Sequence, residues 1–270
     1  MSAYLNQRDL LFIVETLRPG SVHPEQVARR LQGDETRLET MLDEPRLFQS
    51  IMQQKELLPQ ISPWLFFTLL LRQARRDLER ETFTVEQRGR QNVVLFDSDR
   101  VVGLLAQKSI RDYLTTMLAS FTRLEQMTVL VEVRPGAWRG YRTHELDIEG
   151  MIRYSQTLDE AFRFAPYKRI AEVCLFLTGM FPEYLSGQSR YPLSGQLRPR
   201  MRSQLCQKLE DYEAYGRVFY RLAAEHELAR REGLDEVLLT LSEHFILAEK
   251  ALTFLMSRYL QFTRYSLFDW

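Results

Sequence analysis

Metal and nucleophile chemistry has few side chains to draw on here, with four histidines and two cysteines in 270 residues. A carboxylate-bridged di-iron bundle needs Glu-x-x-His on facing helices. Three residues before His23, His144, His226 and His244 stand Gly20, Tyr141, Ala223 and Leu241, so that motif is absent. HExxH fails too, because neither His144-Glu145 nor His226-Glu227 has a second histidine three residues on. Glu225-His226 and Glu243-His244 are adjacent pairs. Neighbours on a helix point about 100° apart and do not grip one ion from one face. His226 therefore reads as a capped or hydrogen-bonded structural residue, and His244 as a surface or partner contact beside Phe245. Cys174 and Cys206 show neither CxxC spacing nor a nucleophile setting, and read as small apolar side chains of a reduced, cytoplasmic protein. No GxxxxGK[ST], GxGxxG or GxSxG occurs. We assign no catalytic residue, metal or cofactor, and the reading leans away from an enzyme.

Arginine, outnumbering lysine 31 to 5, is the residue with chemistry to offer. The segment Tyr184–Leu209 holds no acid, and Arg190, Arg198, Arg200, Arg202 and Lys208 give it a charge of +5. Pro192, Gly195 and Pro199 make its first half a loop, and Pro199 suits the first turn of a following helix. Cations in a first turn oppose the helix dipole, which points to acidic neighbours or an anionic partner. In Arg134–His144, Arg134, Arg139 and Arg142 alternate with Trp138 and Tyr141. Guanidinium and aromatic groups together stack on bases, grip a peptide or cover a core edge. These ten residues are the candidate anion or partner contacts.

The elements that must position them are mostly helical. Leu10, Ile13, Val14 and Leu17 share a face before Pro19-Gly20, and His23-Pro24 opens a second helix that Gly33 ends. Asp34 caps a third, which carries Leu38, Met41 and Leu42. Gln26–Leu31, Gly33 and Thr36–Leu42 nearly match helix-turn-helix spacing. The second of these helices carries Asp34, Glu35, Glu39, Asp43 and Glu44 against Arg37 and Arg46 alone. DNA affinity comes largely from neutralising phosphates, so an acidic reading helix is badly suited. Three packed helices are expected instead, with a winged-helix-like module for protein contact as the alternative. The apolar run Trp64–Leu71 is too short to span a bilayer, which takes about 20 residues, and reads as a core helix.

The period then changes. Phe83 with Val85, and Val93–Phe96, read as short strands. Val129, Val131 and Val133 alternate before a Pro135-Gly136 turn, and Ala137–Thr143 returns as the partner strand. One or two small antiparallel β-hairpins are expected. From Asp147 the pattern is helical, and Gly179 inside a helix marks a close approach. Leu205 to His226 and Leu238 to Phe262 repeat apolar residues at alternating steps of four and three, with Gly233 between. They predict a C-terminal antiparallel helical hairpin over 199–265, with Gly216 near Ala248.

Thirty-six basic residues balance 36 acidic ones, and 45% of residues are apolar. That excludes a disordered tail and a surface wholly given to polyanions. The expected fold is mainly α, a multi-helix bundle forming one compact domain over 1–270, with a separate N-terminal helical subdomain 1–80 as the variant. The expected role is a cytoplasmic bacterial protein that binds a protein partner or its own copies, without a membrane span. A nucleic-acid-associated regulator using 190–208 is the first alternative. An enzyme or small-ligand binder with an inter-helix pocket is the second.

Overall fold

The structure, a computed structural model, describes residues 4–53, 60–80, 84–88, 91–95, 97–122, 126–134, 137–144, 146–185, 208–260 and 267. Its body is helical. Helix α1 (Gln7–Leu17) starts with a reciprocal cap. Asn6 accepts from the Asp9 N–H at 2.9 Å, and Asp9 accepts from the Asn6 N–H at 3.0 Å. The other Asp9 oxygen takes the Ser62 N–H at 2.7 Å, so the start of α1 is tied to the start of a helix 53 residues away. Helices α2 (Pro24–Leu31), α3 (Glu35–Leu42) and α4 (Pro45–Gln53) follow. Helix α5 (Pro63–Leu78) is capped by Ser62 and buries every residue of Trp64–Leu71, which makes it a core helix.

Helices α6 (Ser98–Ala106) and α7 (Lys108–Ser120) pack on α5, and α8 (Ile148–Thr157) and a 3-10 turn (Glu160–Phe162) lead to α9. Helix α9 (Phe164–Met180) is buried continuously from Ile170 to Met180. A helix that is apolar all round must be enclosed on all sides, and α9 packs against α8, α11 (Leu209–Glu225) and α14 (Phe245–Leu255). Helix α10 (Pro182–Leu185) follows α9; α12 (Glu227–Glu232) and α13 (Asp235–Glu243) lie between α11 and α14, which ends in a π turn (Met256–Leu260). One hydrophobic cluster runs through residues from Leu5 to Leu260. The backbone of β1 (Thr84–Arg88) pairs antiparallel with β2 (Gln91–Leu95), and β3 (Gln126–Arg134) pairs with β4 (Ala137–His144). The side chains of these strands lie outside the described residues. Among the described residues, no helix is long and apolar enough to cross a membrane.

The C-terminal hairpin differs from its expectation. The chain reverses at Gly233, which takes φ +66°, and α13 returns along α11, where the Ser242 hydroxyl donates to the Arg217 carbonyl at 2.8 Å. Both arms are interrupted, however: His226 is extended (φ −72°, ψ 144°) and His244 leaves the helical region (φ −110°, ψ 30°). Ala248, the neighbour expected for Gly216, lies one turn beyond Phe245 on α14. A Cβ on Gly216 would overlap the Phe245 ring and lie 3.1 Å from the Cys174 Cβ. The seam is lost at His244 because α14 turns onto α9 and α6. Gly179 meets its expected close neighbour there, since a Cβ on it would stand 2.5 Å from the Leu252 Cβ. Residues 199–207 lie outside the described part.

Candidate functional site

The residues nominated from sequence fall mostly where side chains are not described. Arg190, Arg198, Arg200 and Arg202 lie outside the described residues. Arg134 is in β3, and Trp138, Arg139, Tyr141 and Arg142 are in β4, with backbone register Glu132–Trp138, Val131–Arg139, Val129–Tyr141 and Thr128–Arg142. Lys208 is exposed at the start of α11, and its N–H donates to the Asp211 carboxylate at 2.9 Å.

What the fold does bring together is a charged seam between α3, α5 and α7. Arg72 on α5 is only 3% exposed; it donates to Asp43 at 2.6 Å and to Glu39. Arg76 donates to the Asp43 carbonyl, at the end of α3. Lys108, at the start of α7, lies 3.2 Å from Glu35, 2.9 Å from Asp112 and 3.6 Å from Glu39. Arg111 donates to the Leu105 and Ala106 carbonyls at 2.6 and 2.8 Å, closing the C-terminus of α6. Burial alone would lower the Arg72 guanidinium, but hydrogen bonds to Glu39 and Asp43 and their charge carry it above its ordinary value. Lys108 is likewise raised, with Asp112 and Glu35 outweighing its burial. Arg76 and Arg111 are lowered, chiefly by burial, and for Arg111 next by the charges of Arg72 and Arg75.

A second polar group lies deep between α7, α9 and α11. The Tyr113 hydroxyl donates to Glu172 at 2.8 Å, while Lys168 and Arg169 lie 2.9 and 3.4 Å from the same carboxylate. Arg169 also covers the Phe121 ring at 3.9 Å and donates to Ser120 at 2.9 Å. Burial first, then the Glu172 charge, pushes the Tyr113 and Tyr220 phenols well above their ordinary value. Phenols held protonated beside a carboxylate gripped by two cations act as a fixed hydrogen-bonding clamp; poised general acids have pKa values near the working pH. Lys250 on α14 pairs with Asp97 at the head of α6, and the Tyr259 hydroxyl donates to Asp77 at 2.6 Å. His226 caps α12: its Nδ1 accepts from the Leu228 N–H at 3.1 Å, and Nε2 donates to the Glu160 carbonyl at 2.9 Å. Among the described residues, no group of three or more His, Cys, Asp and Glu is placed to hold a metal ion.

The sequence carries one signal for the charged seam outside any catalytic or metal motif. Glu35, Glu39 and Asp43 recur every four residues, which puts three carboxylates on one flank of α3. Arg72 likewise falls four residues after the buried Thr68 of α5, on a face that cannot reach water. Nothing local marks the Tyr113–Glu172–Tyr220 group, whose members come from three distant helices. Fold and site together define a mainly helical body braced by buried polar clamps. Comparison with known proteins matches no family model, no curated protein and no solved structure.

Proposed function

We propose that the chain is a non-enzymatic protein-interaction or regulatory protein, with a second copy of itself as the simplest partner. The observation that supports this reading is an aliphatic stripe on the outer side of α11. Val218 and Leu222, one turn apart, are 54% and 37% exposed. The 3-10 turn that His226 ties to the end of α11 carries Phe162, 67% exposed. Single exposed apolar residues are ordinary, whereas neighbours presented by a rigid helix favour contact with another apolar face. Arg217, Arg221 and Glu225 supply polar groups around the stripe, the usual arrangement at a protein interface. In this reading the pairs at 84–95 and 126–144 are small β-hairpins on the helical body. Arg134, Trp138, Arg139, Tyr141 and Arg142, with Arg190, Arg198, Arg200, Arg202 and Lys208, are further partner contacts.

Sedimentation velocity over a concentration series tests it. A reversible dimer is expected, weakened at least tenfold by Val218→Ser with Leu222→Ser. A monomer at every concentration, or a dimer indifferent to the double substitution, counts against the reading.

A further inference from the structure

His226 is held by both of its ring nitrogens, and its two partners leave one arrangement of protons. Nδ1 meets the Leu228 N–H at 3.1 Å, which can only donate, and Nε2 meets the Glu160 carbonyl at 2.9 Å, which can only accept. The ring is therefore neutral, with its proton on Nε2. His23 and His244 also stand at helix starts, and neither side chain caps its helix. The backbone at His226 is extended between α11 and α12. This one ring thus closes the start of α12 and ties the α11–α12 corner to the 3-10 turn Glu160–Phe162.

A second proton does not fit that arrangement. On Nδ1 it would point at the Leu228 N–H, setting two donors against each other and removing the cap. The groups around the corner give an imidazolium another place to go. Glu225 and Glu227 flank His226 in the chain, and the tied turn carries Glu160 with Asp159 before it. The ring also stands at the C-terminus of α11, where the helix dipole favours a cation. The neighbouring cations are Arg163, whose Nε donates to the Leu158 carbonyl at 2.8 Å, and Arg230 and Arg231 of α12, the latter 2.5 Å from Glu227. Helix α9 presents the Phe164 ring at 5.7 Å and, one turn on, Lys168, which is paired with Glu172; α13 begins with Asp235 and Glu236.

We propose that His226 is an acid-operated latch: neutral, it locks the α11–α12 corner to the Glu160–Phe162 turn, and as imidazolium it moves to a carboxylate and releases both. Imidazole is the side chain whose charge changes between about pH 5 and 8, so the latch opens on mild acidification. The turn carries the exposed Phe162, and its release frees Phe162 from the end of α11. An acid-weakened self-association is the consequence. That consequence rests on the reading of the α11 stripe; the latch itself does not.

Hydrogen exchange of the whole chain in dilute solution, at about pH 7.5 and 5.5 and corrected for the intrinsic pH dependence of amides, tests the latch. Peptides covering 158–163 and 226–232 should lose protection about tenfold at the lower pH, the worth of about one hydrogen bond, while peptides from α9 keep theirs. His226→Asn isolates the ring, because its carboxamide oxygen accepts the Leu228 N–H as Nδ1 does and does not titrate. In that variant the protection of α12 should be the same at both pH values. Unchanged protection in the parent overturns the proposal. The same loss in His226→Asn also overturns it, because carboxylates would then govern the transition, and so does a loss that extends through α9, which is overall acid unfolding. Sedimentation at the two pH values separates this from the stripe. A dimer that weakens with acid in the parent, and is indifferent to pH in His226→Asn, supports both, whereas a monomer throughout removes the stripe and leaves the exchange data to decide the latch.

Discussion

Arg72 shows how much one side chain can hold in this molecule. It is 3% exposed and bridges Glu39 and Asp43, so α3 and α5 meet through a charge that cannot be rehydrated in place. Removing one member of a buried pair leaves the other uncompensated, at about 3–5 kcal/mol. Asp43 is 54% exposed and Glu39 22%, so water reaches both carboxylates left behind. Arg72→Ala is therefore expected to cost less than that, about 1–3 kcal/mol, and Arg72→Lys should recover part of the loss. Urea unfolding measures both, and a loss under 1 kcal/mol would show that solvent already reaches the pair. Tyr113 and Tyr220 make a different statement, about alkali. Their folded phenols hold protons well above the value of about 10 at which unfolded chains release them. Above pH 10 the unfolded state therefore binds fewer protons than the folded one, and stability falls as pH rises; below pH 10 this contribution is fully present. Tyr113→Phe with Tyr220→Phe should flatten the alkaline decline of the urea midpoint. If the double variant declines as steeply as the parent, other groups govern alkaline unfolding.

Among the elements, the glycines separate what a helix wants from what its neighbours allow. Gly→Ala inside an exposed helix should gain about 1 kcal/mol from propensity. Gly103 on α6 is exposed with nothing within 4 Å of an added Cβ, so Gly103→Ala should raise the melting temperature. Gly216 and Gly179 lie against Phe245 and Leu252 at distances no Cβ tolerates. Gly216→Ala should therefore destabilise by about 1–3 kcal/mol through overpacking. Phe245→Leu in the same chain should reduce that loss, a coupling that a double-mutant cycle reads directly. Additive effects would mean that the α11–α14 contact is looser than the structure has it. The same contacts explain what sequence periodicity could reach. Helical identity, the reversal at Gly233 and the close approach at Gly179 were legible, because each depends on local spacing or a missing Cβ. The breaks at His226 and His244 were not, because the apolar period runs through both unbroken while the backbone leaves the helix there.

Across the whole molecule, charge shows the same limit. The neutral sum was legible, but not its internal arrangement, because pairing acids of α3 with cations of α5 and α7 requires the packing of helices about 30–70 residues apart. The Tyr113–Glu172 clamp was invisible for that reason too, and the sequence-nominated arginine segments fall on residues whose side chains lie outside the described part. A chain with zero net charge and a pI near 6.9 also lacks the repulsion that keeps copies apart at neutral pH. Self-association at pH 7 could then come from absent repulsion or from the apolar stripe of α11, and the two respond differently to conditions. Moving to pH 8.5 makes the chain net negative and leaves Val218 and Leu222 as they are. Val218→Ser with Leu222→Ser removes the stripe and leaves the net charge at zero. A dimer built on the stripe persists at pH 8.5 and disappears in the double variant at pH 7. One driven by neutrality does the reverse, and sedimentation of the two samples side by side distinguishes them.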